Sequence, residues 1–287
     1  MKASRFLIFV SVLFMIGCRS EEPFRHVVFA DSPEMFNFVT PSGRTNAFIT
    51  DGVSYNIVFD DEKRMATLTI NNLRFSPEEE GRIVTFSNIE WTYVAGSHEK
   101  QRAIKAPFIS SDNPGDDCTL TEVEIVYSES NELNDNPSAG FYASYTVNGI
   151  YSVLSYPYTV FAEGTTTVRS EKEIMPQLVD YEPLYKLDLH PSSMTLDMTV
   201  KDLDIGGGKV GFTLRGIAMT LTDDGYTLEE NESVELTLND GETLLVKKVS
   251  GNAVLRDELN LVMELIKEGV TYYVEAYLSP DYNKLRH

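Results

Sequence analysis

The sequence predicts an all-β protein, built as two tandem antiparallel β-barrel or β-sandwich modules related by internal duplication. Three observations carry this. Apolar residues step by two, as at Ile57 and Phe59 or Leu68 and Ile70, which lines one face of a strand. Two long runs fold back through hairpin turns, Tyr142 to Tyr156 at Asn148-Gly149 and Leu259 to Leu278 at Lys267-Glu268-Gly269. Asn-Gly tolerates the positive φ angles of a type I′ turn. Finally, the stretch Tyr55 to Phe75 is laid out again, without a gap, 130 positions later at Tyr185 to Ile205.

The repeat organises the chain. Tyr55, Ile57 and Phe59 correspond to Tyr185, Leu187 and Leu189; Leu68, Ile70, Leu73 and Phe75 correspond to Met198, Val200, Leu203 and Ile205. After a small slip, Phe86, Ile89 and Trp91 face Leu214, Ile217 and Met219, and the two hairpins close each unit. The expected division is a leader over 1–17, a tether over 18–23, a first module over 24–164 and a second over 165–287.

In the first module, strands are expected at about 47–59, 65–75, 83–93, 101–109, 120–127, 141–147 and 150–161. Phe24 to Thr45 reads as a covering loop, or as a short helix from Pro33 with Ser32 as its N-cap. Glu163 to Thr167 and Ser170 to Pro176 lack an apolar period and mark the boundary. Strands of the second module are expected at about 184–189, 194–205, 209–221, 233–238, 243–249, 253–266 and 270–278. Leu255, Leu259, Val262 and Ile266 also fit helical spacing, but the duplicated hairpin decides for a strand. A fragment beginning near Ser170 is expected to fold alone.

The first residues are an address. Lys2 and Arg5 precede an apolar run from Phe6 to Ile16, whose eleven residues would rise only about 16 Å as a helix, too short to span a membrane. Met15-Ile16-Gly17-Cys18 resembles the bacterial lipobox, which implies a lipidated Cys18 as the first mature residue. Acyl chains contribute about 0.8 kcal/mol per buried CH₂, so such an anchor holds a folded domain at a membrane without a spanning helix. Ser20, Glu21 and Glu22 resemble the acidic export tether of surface lipoproteins of the Bacteroidetes group, with a periplasm-facing lipoprotein as the alternative.

Composition narrows the partners. With 24 basic and 44 acidic side chains the formal net charge is −20, so the surface repels phosphate backbones and nucleic-acid binding is excluded. Besides Cys18 the chain has one cysteine, Cys118, following Asp116-Asp117. Neighbouring carboxylates raise a thiol's pKa, so a structural role is expected. The loop Ser128 to Gly140 offers oxygens from Glu129, Asn131, Glu132, Asn134 and Asp135, of the kind calcium prefers. Its spacing matches no EF-hand, however, and a solvated loop is expected.

No catalytic constellation stands out. His26, His98, His190 and His287 are scattered, and no nucleophile elbow, phosphate loop or dinucleotide fingerprint is present. The expectation is therefore no enzyme, no cofactor and no metal, although a glycosidase-like carboxylate pair is set by space rather than by sequence. Tyrosines are the remaining hint. Tyr142, Tyr145, Tyr151, Tyr156 and Tyr158 cluster in the first hairpin region, and Tyr272, Tyr273 and Tyr277 in the second. Both parities are represented, so some rings point away from the core and are candidate binding aromatics, for sugar rings or a protein partner.

Taken with the lipobox and the tether, the tandem β-units resemble the surface lipoproteins of Bacteroidetes, some of which are built from calycin-like β-domains. The resemblance implies outer-membrane attachment, and no catalytic residues follow from it. Three functions are carried forward: a non-enzymatic surface binding or accessory module for a glycan or protein partner, a structural or anchor subunit of a surface assembly such as fimbriae, and a hydrolase using paired carboxylates.

Overall fold

The computed structural model describes residues 27–281 except 33, 43–46, 96–100, 114–116, 129–140, 172–177, 207, 224, 231, 239–240 and 255–257. Cys18, Ser20, Glu21, Glu22, His26, His98, His287, Leu255 and the Glu129 to Asp135 loop lie outside the described residues.

The strands are all antiparallel. β1 (Val27–Asp31) adds to the edge of a ring formed by β2 (Met35–Pro41), β3 (Phe48–Asp60), β4 (Met65–Leu73), β5 (Arg82–Tyr93), β6 (Gln101–Ser110), β7 (Thr119–Ser128), β8 (Phe141–Val147) and β9 (Tyr151–Pro157). Each ring strand pairs with the next in sequence, and β9 closes on β2 with Phe38 opposite Leu154. The second sheet repeats this path. It comprises β10 (Thr159–Ser170), β11 (Leu178–Asp180), β12 (Leu184–His190), β13 (Thr195–Asp204), β14 (Lys209–Leu221), β15 (Gly225–Glu230), β16 (Val234–Thr237), β17 (Thr243–Val254), β18 (Glu258–Lys267) and β19 (Val270–Asp281). It too returns on itself, through ten paired positions between β10 and β19. Closure leaves few free strand edges, which is how up-and-down barrels avoid edge-to-edge aggregation. It also settles barrel against sandwich.

Duplication extends to the irregularities. The β4–β5 ladder slips between Ala66 and Leu68 and between Ile70 and Leu73; the β13–β14 ladder slips between Leu196 and Met198 and between Val200 and Leu203. Left-handed backbone recurs at the same places, at Arg64 and Met194 (φ 54° and 53°) and at Asn72 and Asp202 (φ 59° and 58°). A bulge bends and twists a strand where a barrel must curve. Asn and Asp tolerate the left-handed conformation better than most residues. A cross-strand threonine pair is repeated as well, Thr69 with Thr85 at 3.2 Å and Thr199 with Thr213 at 3.0 Å. The short β11 is no addition. Leu178–Asp180 pairs β10 as Phe48–Thr50 pairs β2, so β11 and β12 together are the counterpart of β3.

Each barrel is filled. Tyr55, Ile57, Phe59, Leu68, Phe86 and Ile104 are among the buried side chains of the first; Tyr185, Leu187, Met198, Leu214, Leu261 and Val274 are among those of the second. Phe36, Phe38 and Tyr156 point out of the first barrel, yet they are buried and belong to the second barrel's core. The end of the second barrel that carries the short 3-10 turn Pro191–Ser193 and the turn after β14 sits against this wall, and the Thr40 hydroxyl there donates to the Asp223 carbonyl at 3.3 Å.

Several expectations are corrected. Phe24 to Thr45 holds two strands, not a loop or helix. Six of the seven β2 residues are buried, one face in each core, which erases the alternation that marks a strand. Ser32 caps no helix: its hydroxyl accepts the Tyr55 N–H at 2.7 Å. The expected strand 150–161 breaks at Tyr158 into β9 and β10. Because β10 pairs only with β11, β12 and β19, the two sheets divide near Tyr158, not between 164 and 165. Glu163 to Thr167 is strand rather than linker. β11 and β15 were not expected, whereas β18 is a strand as expected, alternating in burial over Glu258–Lys267.

The fragment beginning near Ser170 therefore lacks β10, which closes its ring, and the aromatic wall that completes its core. We expect no cooperative unfolding transition from it, in contrast to the whole chain. Phe36→Ala is expected to cost about 3–5 kcal/mol and to unfold the second barrel in urea before the first, as read by hydrogen exchange. A loss confined to the first barrel would refute the shared core.

Candidate functional site

The expected binding tyrosines separate into four environments. Tyr145 lies inside the first barrel, where its hydroxyl meets that of Tyr55 at 2.9 Å. Tyr55 also bonds the Ser155 hydroxyl, which donates to the Asn37 side-chain carbonyl at 2.7 Å. Burial pushes the Tyr55 phenol up to about 12 and that of Tyr145 well above the ordinary value. Tyr185, the repeat counterpart of Tyr55, meets the Thr166 hydroxyl at 3.0 Å and is pushed up to about 12 by burial. These phenols are buried inside the barrels and bonded to one another or to neighbouring hydroxyls. Tyr156 is buried in the joint, stacked on Phe36 at 5.8 Å. Tyr142, Tyr151 and Tyr272 are half-buried, Tyr151 lying parallel to Phe75 at 5.5 Å. Tyr273 and Tyr277 alone of the set are exposed, on the outer wall of the second barrel beside Val262.

A site that the sequence did not indicate lies in the joint between the barrels. A cleft of about 400 Å³ is walled by Glu34, Asp51, Asn72, Arg74 and Tyr158 on one side and by Leu189, His190 and Ser192 on the other. Two bulged elements build it. Asn72, at its left-handed position in β4, donates to the carbonyls of Asp51 and Gly52, each at 2.9 Å, and accepts from Arg74 Nε at 3.1 Å. Gly52 has φ 69°, and a Cβ there would come within 3.2 Å of both Glu34 Oε1 and Asn72 Nδ2. A side chain at this position would be strained and would crowd the cleft floor.

The electrostatics of the cleft are distinctive. Burial raises the Asp51 carboxyl above its ordinary value, with Glu34 adding to the rise against the opposing pull of Tyr158 and Arg74. One Asp51 carboxylate oxygen is buried with no hydrogen-bond donor among the described residues. The Tyr158 hydroxyl accepts the Gly52 N–H at 3.2 Å and is itself raised, by burial first. Across the cleft His190 Nε2 lies 3.6 Å from Asp197 Oδ2. Acceptors on Glu34 and Asp51 thus stand beside donors on Arg74, Tyr158 and His190, an arrangement suited to hydroxyl groups that both donate and accept. It also brings two carboxylates together from either side of β2. Their proximity follows from the β2–β3 pairing and left no local motif, although an isolated glycine in a strand, Gly52, is a sign of close backbone approach.

Cys118 is buried in the first core. Among the described residues no three His, Cys, Asp or Glu side chains are grouped closely enough to hold a metal ion, and no helix is long and apolar enough to cross a membrane. Compared with known proteins, the sequence matches no family model and no curated protein.

The buried phenols make stability pH-dependent. A tyrosine whose folded pKa is raised from 10 to about 12 stabilises the fold fully below pH 10, and this is lost as pH rises toward 12 because the unfolded chain ionises first. Tyr55→Phe should cost about 1–3 kcal/mol at pH 8, from the hydroxyls left unpaired. The gap to wild type should narrow in urea titrations near pH 11–12. A gap constant across pH would contradict the raised phenol.

Proposed function

We propose that the chain is a non-enzymatic, lipid-anchored envelope protein that works as a surface binding module, its joint cleft holding a polyhydroxylated ligand such as a glycan. The cleft carries this reading. It is contributed by both barrels, it mixes acceptors with donors, and it includes a desolvated carboxylate oxygen that a ligand hydroxyl would satisfy. The leader ending at Cys18, the Ser20-Glu21-Glu22 tether, the strongly acidic surface and the resemblance to Bacteroidetes lipoproteins support attachment at the outer membrane, facing outward, with a periplasmic face as the alternative.

A second reading, a structural subunit of a surface assembly, is favoured by the exposed aromatic wall of the second barrel. A hydrolase would use Glu34 and Asp51 as its carboxylate pair.

Calorimetric titration against a panel of soluble polysaccharides separates these readings. Binding by wild type that weakens at least tenfold in Asp51→Ala and in Arg74→Ala, with the ligand recovered intact, supports the binding module. Cleavage of the ligand that disappears in Asp51→Asn replaces it with the hydrolase, and undiminished binding by both variants removes the cleft from consideration. In cells given a radiolabelled fatty acid, the mature protein should carry label and the Cys18→Ala protein none; label on the variant would sink the anchor.

A further inference from the structure

The two barrels act as each other's control at the seam where the bulged strand meets its next neighbour. β5 and β14 are counterparts, fixed by their registers and their threonine pairs, so that Thr85 corresponds to Thr213 and Ile83 to Gly211. Trp91 lies opposite Ile104 in the first barrel as Met219 lies opposite Leu228 in the second, so one half of the seam is paired in both. The other half differs. In the first barrel β6 runs unbroken, and the chain just past it clasps β5. The Asp112 N–H donates to the Thr85 carbonyl at 2.8 Å, and the Asn113 side-chain amide donates to the Ile83 carbonyl at 3.0 Å.

In the second barrel the counterpart of β6 is broken into β15 and β16. β15 pairs β14 only over Ala218 to Leu221, and β16 pairs β17 alone. Along Lys209 to Gly216 no backbone hydrogen bond crosses to β16 among the described residues. The Cα atoms of β14 and β16 stand more than 8 Å apart nearly everywhere. Paired strands lie about 4.8 Å apart, and strands with a third between them about 9.6 Å. A cavity of about 520 Å³ lies at this end of the seam, lined among others by Thr199 and Lys201 of β13, Gly211 and Thr213 of β14 and Thr237 of β16. Both edges alternate as a sheet does. Val210 and Phe212 turn into the core and Gly211 and Thr213 outward, while Val234 and Leu236 pack partly against that core and Glu235 and Thr237 face out. Gly211 stands where the first copy has isoleucine. Its φ is not left-handed, and a Cβ would come no closer than 3.4 Å, to the Val200 carbonyl, so nothing within the chain requires glycine there. A glycine inside a strand often marks the close approach of another backbone.

We propose that the open seam between β14 and β16 accepts an extended polypeptide segment of a partner protein, which inserts as a strand and hydrogen-bonds the backbone of Gly211 and Thr213. Its alternate side chains are apolar toward Phe212 and Leu236 and polar toward solvent. The first copy identifies the chemistry of the occupant, because there the same two carbonyls are met by amide donors, one of them a backbone N–H. In strand addition the main-chain bonds supply affinity and the alternate side chains supply specificity. The seam opens beside the β13–β14 turn, at the opposite end of the second barrel from the joint cleft, and its occupant does not depend on what the cleft holds.

Amide hydrogen exchange followed by NMR, on the chain purified without its leader, tests this. The probe is a synthetic octapeptide that alternates valine and threonine between terminal lysines; its control carries prolines at the centre, which remove N–H donors. The alternating peptide should slow exchange of the Gly211 and Thr213 amides at least tenfold, and the control should bind at least tenfold more weakly. Gly211→Pro deletes a donor on the open side, where a strand edge tolerates proline. It should weaken peptide binding at least tenfold and leave polysaccharide binding unchanged, with its folding checked by circular dichroism. If that variant does not fold, the exchange pattern and the proline control still decide. No binding of the alternating peptide up to about 1 mM overturns the proposal, as does equal binding of the control or protection that falls on another edge such as β1.

Discussion

Phe36, Phe38 and Tyr156 are the constraint on which the rest of the molecule depends. A barrel wall ordinarily has one face in its own core and one in water. Here the outward face of β2 and β9 completes the second barrel's core, so that one strand is buried on both sides. Full burial of each such aromatic contributes roughly 2–3 kcal/mol, and three together amount to much of a domain's net stability. The joint therefore behaves as core rather than as a hinge. It sets the two barrels at one angle, forms the cleft at its margin, and holds Asp51 partly out of water beside Glu34.

Comparison of the two copies separates what the architecture requires from what one copy has added. Bulges, left-handed residues, the threonine pair and the buried phenol recur, so they serve the barrel. Other positions diverge. Gly52 and Asp51 in the cleft correspond to Glu182 and Tyr181, and the Arg64, Trp91 and Tyr93 corner to Met194, Met219 and Leu221. In the second copy that corner is packed against the first barrel and needs only apolar side chains. In the first copy it faces outward and is closed by arginine on aromatic rings, a contact that tolerates water.

How much was legible follows from the same physics. Strands with one wet face showed their period, so β3 to β8 and most of the second module were readable, and the duplication was visible because bulges were copied with the strands that carry them. β2 lost its alternation through burial on both faces. The short β11 and β15 were too brief to show a period, and β10 was split between an apolar start and a threonine-rich middle. The tyrosines show the limit most clearly. Alternation said that Tyr145 and Tyr156 point to opposite faces, and they do, one into each core. It could not say that both faces are dry there, while Tyr273 and Tyr277 on the equivalent strand of the second copy face solvent.

By itself the sequence determined the strand class, the doubling of the module and the acidic character of the surface, because each rests on residue periodicity or composition along the chain. Tertiary structure alone decided that the sheets close into barrels, that they divide near Tyr158, and that the carboxylates of Glu34 and Asp51 share a cleft. Ring closure pairs β2 with β9 over more than a hundred residues, and the cleft draws on both modules. Such proximity is a property of chain ends meeting in space, and no local pattern of side chains records it.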